Sequence, residues 1–210
     1  MTLLVIPELG KIVIMPPRSG STALKQTVLD VYKDAFCPHR HGEVELFNRG
    51  FDQVLYSNWT FVYCLRDPVE RLKSLWRYMQ NVSPQRNPAA PPWWIREQNL
   101  DADRPFSDWV MQSTSKFSSP DNDEDTYHAV AFQMPAVHKS ATQYLKGIGS
   151  RPLQVLRCYN ETDLSNILQI GTVPHINQST PSKWDDSVTD EALASIRMYH
   201  HFDYSLMELA

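Results

Sequence analysis

An α/β fold of three layers, with helices on both sides of a central parallel sheet, is the architecture this sequence predicts. Two observations lead to it. Short apolar runs rich in β-branched or aromatic residues, at 12–15 and 61–65, each pass through a brief polar turn into an amphipathic helix. Further strands and helices alternate along the chain, and that order builds a parallel sheet through right-handed crossovers. At 210 residues the chain has the length of one domain with a full core, and it reads as a single domain over 1–210.

Taken in order, Thr2–Ile6 is a short strand, open to a hairpin with its successor through P-E-L-G. Lys11–Met15 is the first central strand, and Ser21–Lys33 a helix burying Ala23, Leu24, Val28 and Val31. The segment Phe36–Phe47 is of mixed character. Thr60–Leu65 is a second central strand. Asp67, Pro68 and Glu70 then fit the N-cap, first position and capping-box partner of a helix over Pro68–Gln80. On that helix Val69, Leu72, Leu75, Trp76 and Met79 share one side. At roughly 100° per residue, Ser74 falls nearly opposite the centre of the stripe, which predicts a hydroxyl free for a ligand. Residues 81–92, with four prolines and no periodicity, are loop. With a second polar loop at 115–126 they make 81–126 a loop-rich insertion on the substrate side. A helix covers Phe106–Thr114, another Tyr127–Lys146 with an interruption at Pro135. Leu153–Cys158 is a buried strand, followed by helices at Asp163–Leu168 and Asp190–Leu209.

The chemistry gathers at two of these junctions. Lys11–Leu24 reads K-I-V-I-M-P-P-R-S-G-S-T-A-L. A strand entering a helix through so short a turn leaves the first helical N–H groups without partners, at the positive end of the helix dipole. Arg18 adds a fixed charge with forked donors, Ser19, Ser21 and Thr22 add hydroxyls, and Gly20 permits close approach of the backbone. The segment is a cradle for phosphate or sulfate. Residues 60–79 read T-F-V-Y-C-L-R-D-P-V-E-R-L-K-S-L-W-R-Y-M, with Arg66 at a strand end and Ser74 two turns into the helix, spaced to hold one phosphate together.

At these two segments the chain resembles the sulfotransferases that use 3′-phosphoadenosine 5′-phosphosulfate (PAPS). P-P-R-S-G-S-T, from Pro16 and Pro17 through Arg18, Ser19, Gly20 and Ser21 to Thr22, looks like the family's 5′-phosphosulfate loop. R-D-P-V-E-R-L-K-S looks like its 3′-phosphate motif, in which an Arg and a Ser eight positions later hold the 3′-phosphate, as Arg66 and Ser74 are spaced. The resemblance covers about thirty residues, in the right order and separation. It implies a P-loop-nucleotide-hydrolase-like sulfotransferase fold, PAPS as donor, and transfer of a sulfuryl group to a hydroxyl of a carbohydrate or small-molecule acceptor. Many family members carry Lys where this chain has Arg18. Arginine keeps the charge but cannot give up a proton, so its role is electrostatic. The resemblance also implies a Glu or His base in the segment after the first helix. H-R-H-G-E-V-E-L-F stands there, and its E-V-x-x-F portion is similar to the glycan-acting branch. Glu43 is the first candidate, His41 the second, with His39 and Glu45 beside them. No metal is expected. P-H-I-N-Q-S-T-P-S-K-W, with His175, Asn177, Ser179 and Lys183, resembles a late loop that closes over the cofactor.

Composition limits the rest. A net charge of −4 without a general basic excess argues against nucleic acid as a partner. Cys37, Cys64 and Cys158 are too widely spaced for a metal knuckle. Buried thiols, no basic leader and no apolar run of membrane-spanning length predict a soluble, cytoplasmic protein. Four N-x-S/T sequons, at Asn58, Asn81, Asn160 and Asn177, are taken as coincidental, and His200 and His201 as surface residues. Trp93 and Trp94 are either a sugar-stacking platform or a core edge. No surface stripe separable from core patterning argues an oligomer. Two rivals share the anion cradle. A P-loop kinase needs G-x-x-x-x-G-K-[ST], but here Pro16 replaces the first Gly and Ser21 follows Gly20 directly. A non-catalytic nucleotide-binding module would keep the cradle and lack the base.

Overall fold

The computed structural model describes residues 2–39, 44–52, 54–82, 102–115, 140–174 and 181–210. They form an α/β protein whose residues group into two compact units, one of Met1–Asp67, Ala141–Asn177 and Phe202–Ala210, the other of Pro68–Ser140 and Gln178–His201.

The first unit carries a five-stranded sheet of β1 (Thr2–Ile6), β2 (Lys11–Met15), β3 (Phe36–His39), β4 (Thr60–Leu65) and β5 (Leu153–Arg157), in the order β3-β1-β2-β4-β5. The sheet is mixed, which corrects the expectation of a parallel one. β2, β4 and β5 are mutually parallel, whereas β1 runs against both β2 and β3. The cause is local. Pro7–Leu9 form a single 3-10 turn closed by Gly10 in the left-handed region (φ 59°), its N–H returning to the Pro7 carbonyl at 3.0 Å. So short a link reverses the chain and cannot cross over. β3 lies in the segment of mixed character; with β1 as its neighbour it runs in the same direction as β2.

Side chains alternate between two cores. Leu4, Ile6, Val13, Met15, Val62 and Cys64 pack against α1 (Ser21–Val31) and the helix Glu161–Leu168; Leu3, Val5, Ile12, Ile14, Phe61, Tyr63 and Leu65 pack against α2 (Val44–Gly50), Ala141–Tyr144 and His201–Leu209. Helices therefore cover both faces, and strands buried on both sides explain the unbroken apolar runs. Asp203, 2% exposed, ties the second layer together by accepting from the Tyr63 hydroxyl (3.0 Å) and the Ala141 N–H (2.9 Å).

Among the described residues the second unit is helical, built on α3 (Pro68–Val82) and α4 (Phe106–Ser115); the other described helices of the chain are α5 (Ala141–Tyr144), α6 (Glu161–Leu168), α7 (Asp190–Tyr199) and α8 (His201–Leu209). Trp76 packs edge-on to Phe106 at 5.6 Å and donates to the Arg104 carbonyl at 3.1 Å. Where one C-terminal helix was expected, two occur, because His200 leaves the helical region (φ −109°, ψ 23°). His200 is also no surface residue. It is fully buried, with Nδ1 3.3 Å from Nη2 of the buried Arg71, whereas His201 is exposed. A guanidinium can only donate, so Nδ1 accepts and the ring proton is on Nε2. Among the described residues no helix is long and apolar enough to cross a membrane.

α6 shows how a helix start is built from sequence. Its N-cap Asn160 accepts from the Asp163 N–H at 2.9 Å, and Asp163 accepts from the Arg157 N–H (2.9 Å), Nε (2.7 Å) and Nη2 (2.7 Å). The Arg157 hydrogen bond holds the Asp163 carboxyl below its usual value, against the opposing effect of burial. A carboxyl so lowered stabilises the fold fully above its unfolded value of about 3.9 and loses that contribution as pH falls through the folded value. Asp163→Asn is expected to cost about 1–2 kcal/mol at pH 7, Arg157 being half exposed, and progressively less below pH ~4. Urea unfolding of both proteins at neutral and acid pH tests this, and a difference that does not shrink in acid contradicts it.

Candidate functional site

Three parallel strands end on one edge of the first unit: β2 at Met15, β4 at Leu65 and β5 at Arg157. Ligands of open α/β sheets sit outside such carboxyl ends. β3 runs the same way, and Leu3 aligns with both Ile14 and His39, so the chain leaves β3 at the same edge, two strand spacings or roughly 10 Å from β2.

The turn after β2 is closed from within. Ser19 donates its N–H (3.2 Å) and its hydroxyl (2.7 Å) to the Pro16 carbonyl and is 2% exposed. This corrects the expectation that Ser19 offers a hydroxyl to a ligand; it fastens the turn instead. Pro17, Arg18, Gly20 and Ser21 are half-buried, and Thr22 is exposed. Arg18 stands in the left-handed region at φ 67°, unusual for a residue with a Cβ. Gly20 follows at φ 76° as the N-cap of α1, where it supplies no side-chain cap, and its carbonyl accepts the first helical bond from Leu24 at 3.1 Å. The first turn of α1, which carries Ser21 and Thr22, thus has no capping side chain from its N-cap residue.

Gly20 is required for a reason the sequence did not show. A Cβ there would lie 2.9 Å from Cζ and Oη of Tyr159 and 3.2 Å from Cys158 Sγ. The turn after β5 makes this close approach. Gly20→Ala adds this crowding to left-handed strain. It is expected to cost about 1–2 kcal/mol in thermal or urea unfolding; an unchanged stability would show that the turn is softer than its geometry implies.

Arg66, the residue after β4, is half-buried and donates Nη1 to the Arg18 carbonyl at 2.9 Å. From β5, Cys158 donates its backbone N–H to the Leu65 carbonyl (2.7 Å) and its thiol to the Ser19 carbonyl (3.2 Å). Burial pushes that thiol up to about 11, with Arg66 opposing, so it is the protonated form that donates at neutral pH. Burial, then Cys158, raises the Tyr159 phenol, while Arg66 and Arg18 pull it down. Both guanidiniums therefore act on one phenol, and positive charge is concentrated here in a chain that is acidic overall.

Sequence reasoning missed Cys158 and Tyr159 as parts of this site. A signal existed, since Asn160 caps α6 and sets a tight turn immediately after β5. Tyr159 occupies that turn at φ 62°. Ser74 belongs to the second unit, where it is 7% exposed, so its hydroxyl is withdrawn from solvent and not open as the helical wheel implied. Leu72, Trp76 and Met79 are buried as expected, but Arg71 and Gln80 are buried too, which widens the buried face beyond the apolar stripe. Glu43 and His41 lie outside the described residues, as do Trp93, Trp94, His175, Asn177, Ser179 and the two long loops' central parts. Lys183 pairs with Asp103 at 3.3 Å within the second unit. Among the described residues no three His, Cys, Asp or Glu side chains converge to hold a metal.

No family model, no curated protein and no solved structure matches this chain.

Proposed function

We propose that this protein is a PAPS-dependent sulfotransferase that moves a sulfuryl group to an acceptor hydroxyl, of a carbohydrate in preference to another small molecule. The observation that supports it most is the Arg66–Arg18 hydrogen bond, because it joins, at the carboxyl edge of the sheet, two segments that each resemble a phosphate motif of that family. The donor types suit the cofactor: two arginines that both act on the Tyr159 phenol, and a helix start without a capping side chain that carries Ser21 and Thr22. When bound, PAPS would supply an activated sulfuryl group on a phosphate leaving group.

The chain's own residues do the rest. Arg18, the first-turn N–H groups of α1 and the Ser21 and Thr22 hydroxyls counter negative charge at the 5′ end, where preorganised donors supply most of an acceleration of this kind. Arg66 holds the 3′-phosphate. Glu43, with His41 as second choice, takes the acceptor's proton.

Calorimetric titration with adenosine 3′,5′-bisphosphate, with Mg-ATP and AMP as comparisons, tests the reading. Tight binding of the bisphosphate that is lost in Arg66→Ala is the expected result. Binding of Mg-ATP with indifference to the 3′-phosphate would replace it with the kinase.

A further inference from the structure

We propose that Arg66 is a positioning residue for the anion loop, holding Arg18 in its left-handed conformation through the Arg18 carbonyl, so that loop and strand-end arginine form one coupled anion site. The identity of the ligand rests on the sulfotransferase reading; the bracing of the loop does not.

Residues with a Cβ avoid the left-handed region because the Cβ crowds the following carbonyl, so a loop that keeps Arg18 there has to be held. Contacts from both neighbouring strand ends hold it. On the β5 side the Cys158 thiol donates to the Ser19 carbonyl at 3.2 Å, and the Tyr159 ring fills the space over Gly20. On the β4 side Arg66 Nη1 donates to the Arg18 carbonyl itself at 2.9 Å. This bond is charge-assisted, roughly twice as strong as a neutral one, and it acts on the strained residue. Returning Arg18 to the right-handed region would swing that carbonyl away and leave a half-buried guanidinium short of an acceptor.

The bond engages one of five N–H groups on the Arg66 fork, and the remainder can still donate to an anion. One side chain thus serves both phosphate positions. Two ligands, one carrying the 3′-phosphate and one lacking it, should then both respond to Arg66, although only one of them can touch it through that phosphate.

Two measurements decide. The first needs no ligand: amide hydrogen exchange across 16–24 in the wild type, Arg66→Ala and Arg66→Lys. The alanine variant is expected to exchange about tenfold faster in that segment alone, the effect of losing one hydrogen bond to a charged group, with partial recovery in the lysine variant. Exchange that is unchanged, or that accelerates uniformly over the whole sheet, overturns the proposal. The second compares adenosine 5′-phosphosulfate with adenosine 3′,5′-bisphosphate by calorimetry. Arg66→Ala should weaken both by about tenfold or more. If Arg66→Ala leaves 5′-phosphosulfate affinity within twofold of wild type, Arg66 serves the 3′-phosphate alone and the proposal fails. A wild type that binds neither nucleotide sinks the sulfotransferase reading, while the exchange result still decides the bracing.

Discussion

Glu43→Gln is expected to leave binding of adenosine 3′,5′-bisphosphate unchanged and to lower turnover on a sugar hydroxyl by about 10²–10⁴-fold. The substitution removes a proton acceptor and keeps the shape of the side chain, so the loss should fall on the chemical step. A sugar hydroxyl holds its proton until it attacks, and a base must take that proton in the transition state. An acidic phenol such as 4-nitrophenol is already partly ionised at neutral pH and needs far less such help. The variant should therefore retain most of its activity on 4-nitrophenol while failing on sugars from a glycan panel. Equal losses on both acceptors would mean that Glu43 shapes the site without acting as base. Normal turnover on both would remove Glu43 and promote His41, with His41→Asn as the next variant.

The topology bears on this expectation. β3 runs in the direction of β2 with β1 between them, and His39 is level with Ile14. The chain therefore leaves β3, at His39, on the edge where the anion loop begins. That placement was hidden in the sequence, where Phe36–Phe47 shows no clean period. Its strand is four residues long and interrupted by Pro38, which the edge position tolerates because a proline there forfeits no ladder bond on the open side.

The rest of the sheet was easier to read, and the reason is burial. Lys11–Met15 and Thr60–Leu65 lie between two helical layers, so both side-chain faces are apolar and the run announces itself. The direction of β1 was a matter of link length: P-E-L-G is too short for anything but a hairpin, yet the alternation of strands and helices suggested a wholly parallel sheet. The break at His200 was not legible, because the apolar spacing continues through it while the ring meets Arg71 from a segment about 130 residues away. In the site, Arg18, Gly20 and Arg66 were legible as residue types. What each does was not. Ser19 looked like a ligand hydroxyl and fastens the turn, and Gly20 also makes room for Tyr159, which no residue type announced. Sequence motifs report which atoms are available, whereas hydrogen bonds between distant strand ends decide which of them are already engaged.

Arg18 can be tested so that its charge and its backbone are separated. At φ 67° the residue carries strain of about 1 kcal/mol that glycine would not. Arg18→Gly relieves that strain but gives the unfolded chain more freedom, and the two effects are of similar size. Stability is therefore expected within about 0.5 kcal/mol of wild type, although a long side chain has gone. The Arg18 carbonyl remains, so the bond from Arg66 remains as well. What disappears is the guanidinium at the 5′ end. Turnover should fall about 10²–10³-fold, the usual loss when one preorganised donor to a developing anion is removed, and bisphosphate affinity should fall by less than tenfold. Arg18→Lys keeps the charge without the fork and should retain turnover within about tenfold. Urea unfolding, calorimetry and single-turnover transfer on the three proteins separate these effects. Should Arg18→Gly turn over like the wild type, the loop's amides would suffice and the arginine would have no catalytic part. Should it instead lose turnover at unchanged stability, the chain keeps a strained arginine where glycine would fold as well, and the strain is explained by the charge it holds in place.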